Sequence, residues 1–495
     1  MAHPLLTLVR VSAINELGMT ITTTIDRWLP RAVQQNVFYA LGILVMKGVS
    51  FFMLPFIAHQ LSTTAFGQLE ILNSLGALAS VLVGFGLLNS LFRFAGSETS
   101  DHTRRVVAAE MFGISLLIGT LAFAGALLAA GPIASLMPEG IDAHATRLAL
   151  FIVALEGGIA IPLGWLRLQD RAGLYFLLST GKALLQAALT WALLMQGRGI
   201  HGILEAGLVS AALLALVLVF LQWRSTGIRL NLRKIRQLLH YSLPLVGSGL
   251  LGFALTGLDR WILADAVGPA EMAQYALAAK FAVLAALFLQ PFLMWWSPRR
   301  FSVLQETNGH EKAARYAAMG SALSLLIVVA VGLGAPLIID LMFPQSYADA
   351  KQYLPWLVLA MALKDSAELL NLGCYTGSDT RAQFKINLVG AAIGVAGFWL
   401  LVPVFGIWGA ILSLLTAQAL RLALYLYVSQ RILHLPYPMR RLIGLAMLSL
   451  LLLWSGEQVH DELSQSFLAG AGILIMLMAA GRMRLLPFGF PRAAA

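Results

Sequence analysis

The chain has 495 residues, of which 59% are hydrophobic and 12% charged, with a mean hydropathy of +0.79. A soluble globule carries about twice that charged fraction, so the composition excludes one and describes an integral membrane protein. The formal net charge of +10 would point to nucleic acid only if the basic residues shared one exposed face. On short loops beside apolar spans they report topology instead, and nucleic acid is excluded as a partner.

Residues 1–35 carry Arg10, Asn15 and Glu16, which interrupt any apolar signal-peptide core, and read as a cytoplasmic lead-in. From there, apolar runs of about 20 residues predict about fourteen transmembrane helices, at 36–57, 68–92, 106–130, 146–166, 174–195, 203–222, 240–263, 272–296, 316–340, 353–375, 385–402, 408–430, 441–456 and 465–481. The expected fold is therefore an all-α integral membrane protein. It comprises a six-helix lobe over 36–223, an amphipathic cytoplasmic linker over 224–239, a second six-helix lobe over 240–430, and two extra helices with a cytoplasmic tail over 431–495. The connections are short, leaving no room for a soluble domain. The single cysteine, Cys374, lies inside an apolar span, so neither a disulfide framework nor a cysteine-based metal site can be built.

The 34 Lys and Arg fall into separate populations. Roughly 24 lie on alternate loops and both termini, about 3 (Arg147, Arg198 and Lys351) on the opposite loops, and about 7 inside apolar spans. By the positive-inside rule the first set is cytoplasmic, and an even number of spans with both termini inside keeps every basic loop on one side. The segment Asn231–His240, with Arg233, Lys234 and Arg236 between Leu232, Ile235, Leu238 and Leu239, has the spacing of an interfacial amphipathic helix. Aligning Asn36 with Ser242 places Ala65-Phe66-Gly67-Gln68-Leu69 beside Glu271-Met272-Ala273-Gln274-Tyr275. Each half thus opens with a span, a short outer turn and a second span, as expected of parallel repeats that rock around a central site.

The run Asn36–Lys47, the turn Leu61-Ser62 followed by Phe66-Gly67, Gly86-Leu87 and Arg93, then Pro244, Leu258-Asp259-Arg260, Tyr275-Ala276 and Ala278-Ala279-Lys280 resemble the bacterial polysaccharide-exporter (Wzx-type) lipid-linked oligosaccharide flippases. That family belongs to the multidrug/oligosaccharidyl-lipid/polysaccharide (MOP) exporter superfamily. The chain departs from the family at Ala273-Gln274, where a glycine often precedes the tyrosine pair. The resemblance implies a V-shaped pair of six-helix lobes around a cationic cavity, in the bacterial inner membrane. The implied substrate is an undecaprenyl-pyrophosphate-linked glycan of the O-antigen or lipopolysaccharide kind. Membrane lipids, a polysaccharide polymerase and other assembly proteins are the implied partners.

The deep charges lead independently to a similar cavity. Each charge at mid-membrane costs about 2.5–3.5 kcal/mol on insertion scales, so such groups are expected to face water, a partner or an anionic ligand. Lys47, Lys182, Arg260, Lys280, Lys364 and Arg421 are the candidate substrate-binding residues, and by depth they read as a ladder across the bilayer for a pyrophosphate. Local alternatives stand beside that reading: Arg93 snorkels to the interface, Arg260 pairs with a carboxylate, and Lys364 pairs with Glu368 at i, i+4. Glu156, Asp259, Asp365 and Glu368 are counter-ions or a proton or sodium site. Glu156 precedes Gly157-Gly158 and Pro162, where a helix could break. His59, His144, His201 and His434 lie singly near span ends and take no catalytic role; no cofactor or metal is expected. The competing functions are a drug or toxin extrusion antiporter, whose cavity would be acidic, and a membrane-embedded glycan ligase or polymerase, which would need a large outer loop that the sequence lacks.

Overall fold

The computed structural model describes residues 31–96, 98–138, 140–231, 235–376, 381–459 and 461–486. Most of the expected N-terminal lead-in, linker residues Arg233 and Lys234, and the end of the cytoplasmic tail lie outside them. Among the described residues all regular structure is helical. In the first half the helices are α1 (Arg31–Gln60), α2 (Thr63–Val83), α3 (Phe85–Phe94), α4 (Asp101–Ser135), α5 (Ala143–Ala154), α6 (Glu156–Leu168), α7 (Ala172–Met195) and α8 (Gly199–Thr226). The second half continues with α9 (Ile235–Thr256), α10 (Leu258–Leu304), α11 (Gly309–Met342), α12 (Ala350–Leu369), α13 (Arg381–Phe405), α14 (Ile407–Ile432), α15 (Met439–Glu457) and α16 (Glu462–Arg482).

Among the described residues, 11 helical stretches are long and apolar enough to cross a membrane, and Leu44–Gln60 of α1 is a shorter apolar helix. One of the 11, His240–Leu304, runs for 65 residues. It cannot be one straight pass. Gly268 has a φ of 83°, a left-handed value that glycine adopts without steric cost, and Pro269 follows it. The Tyr275 hydroxyl donates to Asp259 Oδ2 at 2.6 Å across this point, so the chain has folded back into two arms. α12 is not among the 11; Lys351, Lys364, Asp365 and Glu368 make it too polar.

The sequence reading is corrected in three places. The span expected over 240–263 breaks at Gly257, between α9 and α10. The span expected to run to 375 ends at Leu369, and a separate 3-10 turn covers Leu372–Tyr375. The stand-alone interfacial helix does not form: from Ile235 the chain runs unbroken through α9, and Leu238 is buried in a protein core rather than laid on a membrane surface.

The chain packs as two compact units, Met1–Leu250 and Leu251–Ala495. The division falls inside α9 because the helix's first half is tied to unit one. Tyr241 meets Phe94 edge-on at 5.6 Å, the Arg93 guanidinium lies 5.2 Å from the Tyr241 ring centre, and Ser242 Oγ is 3.0 Å from Ser90 Oγ. The segment before α9 is also pinned there. The Arg229 N–H donates to the Ala109 carbonyl at 3.1 Å, and Asn231 Nδ2 donates to Glu110 Oε1 at 2.9 Å.

In unit one, Leu87 and Leu91 of α3, Met111 and Phe112 of α4, and Ile161 and Trp165 of α6 form the main core. In unit two, α11 is the central element. One end packs with Leu369 and Leu435, and the other carries the α15–α16 pair, where Gly332 and Gly472 admit Leu453 and Leu333. Such small-residue contacts let membrane helices approach closely. Leu128, Leu341 and Phe467 face outward, as lipid-contacting residues do.

Candidate functional site

Helix geometry places each deep charge well inside its own helix. At 1.5 Å per residue, Lys47 lies about 20 Å from Gln60, Lys182 about 20 Å from Met195, and Glu156 about 20 Å from Ala143. In unit two, Arg260 and Lys280 lie about 12 and 18 Å from the Gly268 turn, Lys364 about 21 Å from Ala350, and Arg421 about 21 Å from Ile407. These are mid-depths for a hydrocarbon core about 30 Å thick.

Unit one holds Lys47, Glu156 and Lys182. Lys47 is exposed on α1, and Lys182 is half-buried on α7. Gly42 of α1 faces Phe176 of α7, and five or six residues further along each helix Lys47 and Lys182 come level. Glu156 sits where the chain passes from α5 to α6, and Ser80 Oγ donates to its Oε1 at 2.7 Å. It also faces Gly84, the residue between α2 and α3. The expected irregularity at Glu156 is present: Gly158 N–H bonds back to the Leu155 carbonyl at 2.9 Å, a 3-10 contact. Ser115 Oγ donates to the Gly157 carbonyl at 2.7 Å. Two helix interruptions thus meet at one carboxylate, and Lys182 is its charged neighbour.

Unit two holds the rest. Asp259 follows the Gly257 break and is buried, receiving the Tyr275 hydroxyl at 2.6 Å, Arg260 N–H at 2.9 Å and Arg260 Nη1 at 3.2 Å. Arg260 Nη1 also donates to the Thr256 carbonyl at 2.7 Å. The local pairing considered for Arg260 is therefore the observed one. Arg421 differs. Its Nη2 reaches Asn387 Oδ1 at 2.9 Å and its Nη1 reaches Gln418 Oε1 at 2.6 Å, while Tyr425 donates to the same Asn387 oxygen at 3.0 Å. These partners are neutral amides, which fix the guanidinium plane without cancelling its charge.

A cavity of about 60 Å³ joins Asp259, Arg260, Tyr275, Lys364 and Gln418. It has room for about two waters, so no pyrophosphate headgroup fits in this cavity. Lys280 is half-buried on the second arm of α10 and is not part of this lining. Asp365 is buried and accepts from Ser324 Oγ of α11 at 3.3 Å. Glu368 is exposed one residue before the end of α12, near the rim marked by Tyr375 and Arg300. It is neither deep nor, among the described residues, paired with Lys364. Arg93 is exposed against Tyr241, as the interfacial reading expects. Asn387, Gln418 and Ser80 were not singled out from the sequence. A polar residue three positions before Arg421 within an apolar helix was the one available signal.

Comparison with known proteins adds to this geometry. The family model described as "Polysaccharide biosynthesis protein" matches residues 33–303, more than half of the chain. Comparison with curated proteins returned no match. Among solved structures, the lipid II flippase MurJ in an inward closed conformation aligns with a TM-score of 0.70 and 11% identity, over 92% of this chain and 100% of that one. The MATE multidrug transporter DinF-BH, in a ligand complex, aligns with a TM-score of 0.61 and 12% identity, over 82% and 96%. An inward-facing multidrug resistance MATE family transporter of the MOP superfamily aligns with a TM-score of 0.57 and 16% identity, over 80% and 94%. At these identities the likeness is one of fold.

Proposed function

Because the chain belongs to the polysaccharide biosynthesis protein family and has the MOP transporter fold, we propose that it is a flippase for an undecaprenyl-pyrophosphate-linked oligosaccharide. It moves this lipid, or a related polysaccharide precursor, from the cytoplasmic to the periplasmic leaflet of the bacterial inner membrane. The observation that carries this reading is Arg421, a mid-depth guanidinium braced by the amide oxygens of Asn387 and Gln418. An arginine held rigid and still positive suits a phosphate, whose oxygens it takes through a bidentate fork. Lys47 and Lys182, level with one another, and Lys364 add flexible point charges. The headgroup meets this belt by alternating access, while the polyprenyl tail stays in lipid. Delivery of the flipped lipid to a polysaccharide polymerase and other assembly proteins completes the proposed role.

Charge favours this direction. Each negative charge moved outward across a negative-inside potential releases about 2.3 kcal/mol per 100 mV, offset by whatever protein charge moves with it. Glu156, between two helix interruptions and beside Lys182, is the proposed site for a returning proton or sodium ion.

Extrusion of organic cations is the second reading, favoured by the MATE-like fold and by Glu156, Asp259 and Asp365. The six cations at this depth outnumber those three acids. Reconstituted flux of a fluorescent lipid-linked oligosaccharide, set beside flux of rhodamine and tetraphenylphosphonium, separates the two. Movement of the lipid alone supports the flippase; movement of the cations alone overturns it.

A further inference from the structure

A second cavity of unit two shares no lining residue with the one at Asp259, Arg260 and Lys364. It has a volume of about 610 Å³ and lies in unit two, between the ends of α11, α12, α14 and the α15–α16 pair. Each contributes the end that the charge pattern places outside: Pro336, Gln352, Trp408, Gln458 and Gln465 are all on that side. We infer that this cavity is a saccharide-binding site on the periplasmic end of the protein, with room for about two to three sugar rings. The inference deepens the flippase reading and rests on it for the identity of the natural glycan, but not for the class of ligand.

The lining has the chemistry of a polyhydroxylated, uncharged ligand. Such a ligand offers hydroxyls that donate and accept, and C–H faces that lie on aromatic rings. Trp408 is a partly exposed aromatic wall, held edge-on by Tyr353 at 5.5 Å and Trp356 at 6.4 Å between ring centres. Its rotation is thereby restricted, so little ordering cost remains when a ring stacks on it. Three carboxamides, from Gln352, Gln458 and Gln465, supply donors and acceptors together.

Two of the charged groups in the lining are committed, and Asp349 adds a carboxylate that can accept from a ligand hydroxyl. Lys351 Nζ pairs with Asp340 Oδ1 at 2.6 Å, and Trp356 Nε1 donates to Glu457 Oε1 at 3.0 Å. One group is left unsatisfied. Gln465 donates its Nε2 to the Val459 carbonyl at 2.7 Å, which fixes the amide, while its Oε1, buried beneath the lining, has no hydrogen-bond partner among the described residues. The lining differs in kind from the mid-depth belt, where the groups are cationic and suited to phosphate.

The test uses the full chain in lipid nanodiscs and follows intrinsic tryptophan emission and calorimetric heat. The probes are maltotriose, chitotriose, the glycan released by mild acid from the cells' lipid-linked oligosaccharide, inorganic pyrophosphate and tetraphenylphosphonium. Saturable binding of at least one saccharide, weakened tenfold or more by Gln352→Ala combined with Gln458→Ala, supports the site. Both side chains are exposed, so the fold survives their loss. Trp408→Leu should abolish the emission change while calorimetry reports weaker binding. Failure of all three saccharides to bind, indifference to the paired glutamine variant, or binding of tetraphenylphosphonium alone overturns the proposal. Displacement of released glycan by intact lipid-linked oligosaccharide identifies the transported lipid as the source of the sugar; absence of displacement identifies free oligosaccharide, and either result supports a saccharide site. Flux measured on the same preparations separates the two claims. Flipping without saccharide binding removes this site alone, whereas saccharide binding without flipping removes the flippase reading and leaves the site.

Discussion

Arg260 and Arg421 are both mid-depth arginines of unit two, and their surroundings give them opposite uses. Arg260 is folded onto Asp259 and the Thr256 carbonyl next to a helix break, so its charge is spent within the protein. Arg421 is held by Asn387 and Gln418, which set its orientation and leave its charge for a ligand. Depth in the membrane is thus a poor guide to function unless the partner's charge is known. A buried ion pair is weak evidence for anything beyond structure, whereas a half-buried cation held by neutral partners needs a further explanation.

This contrast can be broken most forcefully at Asp259. Asp259→Ala leaves Arg260 and the Tyr275 hydroxyl without their partner and should lower stability by about 3–5 kcal/mol, read as loss of folded protein in detergent melting; a near-wild-type melting temperature would mean that the pair is dispensable. Next in size, Arg421→Ala should slow lipid flux by roughly tenfold to a hundredfold, the worth of about 1.5–3 kcal/mol in hydrogen bonds to a charged group, with little change in melting. The reverse pattern, intact flux and a large melting loss, would make Arg421 structural like Arg260.

Both arginines were legible as deep charges, but their difference was not. Asp259 adjoins Arg260 in sequence, so that pairing could be weighed in advance. Asn387 lies on a different helix, and only the packing of α13 on α14 brings it to Arg421. The helical architecture was readable because lipid forces every backbone group into an intra-segment hydrogen bond, which leaves long apolar runs. Height within the membrane was less readable. The outer turn lies at Gly268 and Pro269, five residues past the expected end of the span at 263. The early end of α12 moved Glu368 to the rim.

Unit one offers a smaller test. Ser80→Ala removes the 2.7 Å donor to Glu156 and should cost about 1.5 kcal/mol, the low end for a hydrogen bond to a charged group. If Glu156 is the coupling site, the variant should also shift the dependence of flux on a proton or sodium gradient; an unchanged dependence would assign Glu156 a structural role.

The smallest effect is expected at an outer helix end. Asp142 caps α5 through the Ala145 N–H at 2.8 Å and meets His201 at 3.1 Å. Slight burial raises its pKa, but the Ala145 N–H and His201 outweigh that and hold it below the ordinary carboxylate value. A depressed folded-state pKa adds stability that is complete above the unfolded value near 3.9 and disappears as pH falls through the folded one. Asp142→Ala should therefore cost about 0.5–1 kcal/mol near neutral pH and flatten the melting profile on the acid side. An unaltered acid limb would show that the cap does not titrate with folding.

The account turns on whether Arg421 carries an uncompensated charge that the substrate needs. Asn387→Asp tests this most directly, because it puts a carboxylate where the amide oxygen now lies and changes almost nothing else in shape. Flux of fluorescent lipid-linked oligosaccharide in proteoliposomes, measured beside melting of the same protein, should fall at least tenfold while the melting temperature holds or rises. Wild-type flux in that variant would contradict the assignment of Arg421 to the phosphate headgroup.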